Sequence, residues 1–334
     1  MTIRIACTLL VLVLFVTTGS GLPLHPIEIG ALTEKADLIV LGEVMSRVRE
    51  GTTTIDMSGT LMSAEIVRAE IAVDRALKGT APTGVISLSF AMPDRPVGYR
   101  DVVQGEYRMF FLQRKDDSLS FADPWYGDLP AIREQNPVSG SPLNQVTMVL
   151  GRALESTRLS DVEQFEVLDA VRRLHTDLST EILRQTLQSA SGDFKLEVAR
   201  SLVARNDLAA FAVVKDALLQ QTGLPVRLVL DLAGSLNGLS DPRAVPGLAK
   251  LTEINDSAIR RPAAEALRRT GSQSAIEPLS KLLGDSEFRV RYSAVVGLGE
   301  ITHQDEWTPT INEFERNEER YLKHWRLWVD ATYK

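Results

Sequence analysis

Four cations stand at one position of a recurring apolar pattern: Lys195, Arg227, Arg260 and Arg291. Each follows an apolar residue, in Phe194-Lys195, Val226-Arg227, Ile259-Arg260 and Val290-Arg291. Stacking of the repeated units would bring the four into one column. Facing water, the column is a positive stripe for an acidic protein partner or an anionic polysaccharide. Turned inward, it is a ladder in which the cations pair with turn acids such as Asp193, Asp256 and Asp285. An aromatic pair, Trp125-Tyr126, lies between Pro124 and Gly127, where a loop would present it for surface contact. These six residues are the candidate partner-binding set. Trp325 and Trp328 are a second aromatic pair, at a helical spacing that suits closure of an apolar end.

Nothing in the chain has the spacing of a catalytic centre. There is no HExxH, no GxSxG and no phosphate-loop glycine pattern. The histidines are His25, His175, His303 and His324, far apart in sequence. His303 and Asp305 are of metal-ligand type, but two ligands fall short of a site. The single cysteine, Cys7, lies in the N-terminal apolar run, so thiolate chemistry and disulfides are not expected of the mature chain. No catalytic residue, no metal and no cofactor is expected.

The elements that must position the cations are helices. From the four starts at 194, 226, 259 and 290 the steps are 32, 33 and 31 residues. Small or apolar residues return at offsets 4, 7 and 8, which is one face of a helix. The second start gives Leu230, Ala233 and Gly234, and the fourth gives Ala294, Gly297 and Leu298. Partner helices align between them: Ala210, Val214, Ala217 and Leu218 match Ala275, Leu279, Leu282 and Leu283. A fixed period in the low thirties means stacked helix pairs. Two helices before them, opening at Ser160-Asp161 and near Ser179, make a degenerate first unit. Tyr321, Leu322, Trp325, Trp328 and Val329 give the last helix its apolar face, with Glu319 and Lys323 as an i, i+4 pair.

Before the helices the chain reads as strands. Ile27 to Lys35 suits a short helix, and Ala36 to Val44 is an apolar run of strand length. Glu50 to Thr60 is polar with two glycines and reads as a loop. In Ala64 to Leu77, Val67, Ala69, Ile71, Val73 and Leu77 alternate toward a core. Val85 to Phe90, Gly105 to Gln113, Leu119 to Ala122 and Leu129 to Ile132 complete the set, with a hairpin turn at Asp116-Asp117-Ser118. Five or six short strands suggest a small closed or partly open barrel. Pro137 to Pro142 reads as the linker to the helices.

Arg4 followed by the apolar run Ile5 to Val16 reads as a secretory signal, with cleavage after Ser20 or Gly21. The formal net charge of −7 argues against a nucleic-acid partner. No later stretch approaches membrane-spanning length.

The phrases "IRRPAAEALRRTGSQSAIEPLSKLL" and "VRYSAVVGLGEI" resemble HEAT repeats of the short HEAT-like type. The resemblance covers residues 193–303 firmly and 141–334 loosely. It implies an α-solenoid that binds protein partners, and it favours the internal Asp–Arg ladder for the cation column. Short HEAT-like repeats also occur in bilin lyases, whose cytosolic setting does not suit an exported chain. "ADLIVLGEV", "RALKG" and "GEYRMFFL" look like the netrin-like, TIMP-like OB-fold modules of exported bacterial proteins, over residues 25–135. Inhibitors in that superfamily present an N-terminal cysteine to a protease zinc, and the mature chain has none.

The expected architecture is multidomain β + α: a signal peptide (1–21), a small OB-like β-barrel (22–138), and an α-α solenoid of HEAT-like repeats with C-terminal capping helices (139–334). The expected function is non-catalytic protein–protein binding or scaffolding in the cell envelope or secreted space. The alternatives are an envelope protease inhibitor acting through the β-domain and a metal-dependent enzyme.

Overall fold

The computed structural model describes residues 27–57, 59–80, 84–94, 101–115, 118–134, 136–221 and 223–332. The signal peptide, His25 and the turn residues Asp116-Asp117 lie outside the described residues.

The N-terminal part is a short helix and a six-stranded sheet. Helix α1 (Ile29–Lys35) buries Ile29 and Leu32. The strands are β1 (Leu38–Met57), β2 (Thr60–Lys78), β3 (Val85–Pro93), β4 (Tyr107–Lys115), β5 (Ser118–Phe121) and β6 (Asp128–Pro130). β1 pairs with β2, and β2 with β3, both antiparallel. β3 meets β5 in parallel at Leu88 and Leu119, and β5 pairs with β4. β4 returns to β1, from Leu38 opposite Leu112 to Glu43 opposite Tyr107, and also pairs with β6.

Alternation explains the apolar run in β4. Phe110 and Leu112 join Val40, Ile71 and Leu88 in one core. Met109 and Phe111 point the other way, into a larger core with Ile29 and Leu32. A strand covered on both faces has no solvent-facing positions to mark it as alternating.

Glu50 to Thr60 is not a loop. β1 continues to Met57 and turns back, with Met57 opposite Thr60. Thr52, Thr53, Thr54 and Ile55 are β-branched and favour the extended backbone. The turn is made by Asp56, whose carboxylate accepts the Gly59 amide at 2.7 Å, with Gly59 at φ +86°. β3 covers β2 only from Ala64, so the end of this hairpin is a two-stranded ribbon.

The rest is helical: α2 (Pro142–Leu154), α3 (Asp161–Arg172), α4 (Asp177–Ser189), α5 (Gly192–Val203), α6 (Leu208–Gln220), α7 (Val226–Ser235), α8 (Val245–Leu251), α9 (Ser257–Arg269), α10 (Ile276–Lys281), α11 (Phe288–Thr302) and α12 (Ile311–Thr332). α5, α7, α9 and α11 stack side by side, each followed by its partner, as the repeat requires. α3 and α4 precede them, capped by Ser160 and Thr176 in capping boxes. α2 covers this first pair. It does so closely: a Cβ on Gly151 would come within 2.8 Å of Ile182.

The second unit corrects the sequence alignment. Val226 and Leu230 are 76% and 50% exposed, whereas Leu228, Leu232, Ser235, Leu236 and Leu239 are buried. Those five sit at offsets 0, 4, 7, 8 and 11, as do Ile259, Ala263, Ala266, Leu267 and Thr270 in α9. The unit therefore starts at Leu228. The steps become 34, 31 and 31 residues, and Val229, not Arg227, is the counterpart of Arg260.

Pro137 to Pro142 is not a free linker. Val138 is buried, and the carbonyl of Asn136 accepts from Arg75 at 3.0 Å and Arg152 at 2.9 Å. One apolar core runs from Ile29, Ile39 and Phe111 through Val146 and Leu150 to Trp325. Buried Arg108 of β4 adds a polar seam, bonded to Asp128 of β6 and to Glu166 of α3. At the far end Tyr321, Leu322 and Trp325 are buried as expected. Glu319 lies 3.9 Å from Arg326 instead of pairing with Lys323.

Candidate interaction surface

The ladder forms in the C-terminal half. Arg260 gives two hydrogen bonds to Asp285, at 2.8 and 3.0 Å, and a third to the Ile254 carbonyl at 3.0 Å. Arg291 is held the same way, by the carbonyls of Asp285 and Ser286 and by the carboxylate of Glu318. Each guanidinium reaches back six residues to the turn before its own helix. Burial pushes the Asp285 carboxyl up, but the Arg260 hydrogen bonds outweigh it and hold the group below its ordinary value.

The other two cations stand apart. Lys195 is half-buried on α5 and has no carboxylate partner among the described residues. Arg227 is 94% exposed, with Asp231 no nearer than 4.0 Å. Trp125 and Tyr126 form the turn after β5, where Asp123 accepts both their amides at 2.9 and 3.1 Å. The Tyr126 ring lies under Arg173, 4.7 Å from its centroid, and Arg173 also donates to the Ile27 carbonyl. Tyr126 thus helps join the sheet to the end of α3. His303 caps α11 in the left-handed region, and no group of three metal-ligating side chains occurs among the described residues.

Sequence reading missed a second set of links between units. Glu197 accepts from Arg172 and Arg200. Glu265 accepts from Arg268, Arg269 and Ser293, and Arg268 also reaches Glu300. Asn206 accepts the amides of Ser240 and Asp241 from the next turn. The only signal in the sequence was i, i+3 and i, i+4 charge on the helix faces, as in Glu197–Arg200 and Glu265–Arg268, because the partners in neighbouring units lie more than twenty residues away.

Two clefts meet at the loop from α2 to α3. The first, of about 960 Å3, lies between the sheet and the end of α2. Arg75 is tied there to the carbonyls of Glu134 and Asn136, Arg152 to the Glu134 carboxylate, and Arg133 to Glu43. Tyr107 donates to Asp74, and burial pushes its hydroxyl pKa up. The second, of about 650 Å3, lies where α2 and α4 end and α3 and α5 begin. Phe165 and Phe194 meet edge-to-face at 5.5 Å on its wall. Val162 is 77% and Phe165 40% exposed, and with Val226 and Leu230 they give the first turns of α3 and α7 an apolar surface.

Residues 226–299 match the family model for HEAT repeats. Among solved structures, an engineered protein is 23% identical over 47% of this chain and 79% of that one, with a TM-score of 0.35. The CpcE–CpcF complex of phycocyanin lyase from a Nostoc species is 19% identical over 42% of this chain and 99% of that one, at a TM-score of 0.25. Human deoxyhypusine hydroxylase is 18% identical over 55% of this chain and 48% of that one, at 0.23. No curated protein matches the chain.

Proposed function

We propose that this chain is a non-catalytic binding or scaffold protein of the cell envelope or secreted space, holding protein partners on its HEAT-like solenoid. The observation that carries the reading is a contrast between the two halves of the stack. In α9 and α11 the cations are closed onto Asp285 and Glu318. In α5 and α7 they are not, and Val226, Leu230 and Phe165 face solvent beside them. Apolar side chains left out of the core along a stack are what a docking surface needs. The export reading rests on Arg4 and the apolar run after it. The β-domain is read as a small OB-like barrel because its pairings run β1–β2–β3–β5–β4 and back to β1.

Affinity capture from a bacterial envelope fraction with the full chain tests this. A protein retained reproducibly, recovered in the reciprocal capture and lost on Val226→Glu, supports the reading. A chain that retains no protein in either direction overturns it.

A further inference from the structure

We propose that the groove between α3 and α5 receives a Lys or Arg side chain, carried beside an apolar residue on a partner's extended segment; this rests on the protein-binding reading above. Three features of different origin converge there. The first is carboxylate charge. Glu155, Asp161 and Asp193 line the groove, and among the described residues none of the three forms an ion pair with this chain. No Lys or Arg lines it; Lys195, next along α5 from Phe194, is not part of the lining. Asp161 and Asp193 also sit in first helical turns, where the helix dipole favours an acid. Glu155 caps the C-terminus of α2, where the dipole opposes one, so helix stability does not account for it.

The second feature is the end of α4. Its last turn has no basic residue, and Thr186 and Ser189 bring that negative end to the groove wall. The third is the aromatic pair. Phe165 and Phe194 are partly exposed and edge-to-face, an aromatic surface on which a cation can pack. Val162, one turn before Phe165, is the adjacent site for an apolar residue.

The neighbouring arginine-lined cleft sets the direction. It shares Glu155, Ser156 and Thr157 with the groove. That cleft sets Arg75, Arg133, Arg152 and Arg158 against Asp74, Glu134 and Glu155, so a segment crossing the shared edge finds the better site for its cation on the α3–α5 side. The charge balance also excludes the acidic partner that the exposed cations alone suggest for this site.

Selection of a random-peptide library on the immobilised full chain tests the groove. The enriched peptides are expected to share a Lys or Arg next to an apolar residue. Their affinity should fall about tenfold or more in the Asp161→Asn/Asp193→Asn double variant and in Phe165→Ser, each with the parent's melting profile. Asp216→Asn, an exposed acid on α6, should leave it unchanged. Peptides without a cation, peptides that keep their affinity in the groove variants, or a selection that enriches nothing overturn the groove assignment. The reciprocal capture of whole proteins then decides separately whether the protein-binding reading stands.

Discussion

Arg260 and Asp285 are joined by two hydrogen bonds across the boundary between successive helix pairs. The side chains are 12% and 8% exposed, so the pair works in a largely dry setting. The same aspartate lends its backbone carbonyl to Arg291. One residue thus ties three helices, α9, α11 and, through Glu318 on Arg291, α12.

Arg260→Ala is therefore expected to destabilise the fold by about 2–3 kcal/mol, because Asp285 keeps its charge and loses its partner. Arg227→Ala should stay within about 0.5 kcal/mol, as for an exposed side chain without a close partner. Urea denaturation of the two variants checks the difference. Equal effects would mean that Arg260 does not hold the stack.

The pH dependence follows from Asp285. Its folded pKa is held below the unfolded value, so the pair's contribution is present above that unfolded value and lost as pH falls below it. Acid titration of stability should be shallower in Asp285→Asn than in the parent below about pH 4.

His324 acts nearer neutrality. Its ring stacks on Trp307 at 3.6 Å and bonds Gln304 at 3.2 Å. Burial lowers its pKa, against a weaker opposing pull from Glu306. The unfolded chain then binds the proton more readily, so stability is full above about pH 6.5 and declines as pH falls below it. Arg320, on the same Trp307, adds a like charge to the protonated state. Melting curves between about pH 5 and 7 should show this slope in the parent and lose it in His324→Phe.

Gly238 meets the preceding unit. A Cβ there would lie 2.4 Å from the Ala204 carbonyl oxygen, so Gly238→Ala should cost about 1–3 kcal/mol of stability. Gly284→Ala, with nothing within 4 Å, is the control. Equal melting temperatures would refute the close packing of these turns.

The shared core predicts one unfolding transition for the whole chain. Leu150, fully buried at the junction, should lose about 2–5 kcal/mol on change to Ala. Calorimetry should show a single peak moving as a unit; two peaks, only one of them displaced, would show that sheet and helices unfold separately.

Much of this was readable from the chain. Ala263, Ala266 and Leu267, then Ala294, Gly297 and Leu298, carry the repeat in plain view and are buried. The second unit misled because Val226-Arg227 copies the dipeptide Val290-Arg291 while lying two residues before the true start. Only the burial of Leu228 and Leu239 separates the two registers. The β1–β2 ribbon was hidden by polar threonines, whose β-branching mattered more than their polarity. The α3–α5 groove was out of reach, since Glu155, Asp161 and Asp193 come from three helices and meet only on folding. The ladder's acids were half visible: Asp285 stands out as a turn acid, but only the fold shows that its carboxylate goes to Arg260, in the unit before.

β4 carries Phe110 and Leu112 in one core and Met109 and Phe111 in the other. A pull along the chain cannot part the sheet from the helices without dragging this strand out of both. Under tension the molecule would yield as one spring with its stiffest coil at β4, rather than as two beads on a string.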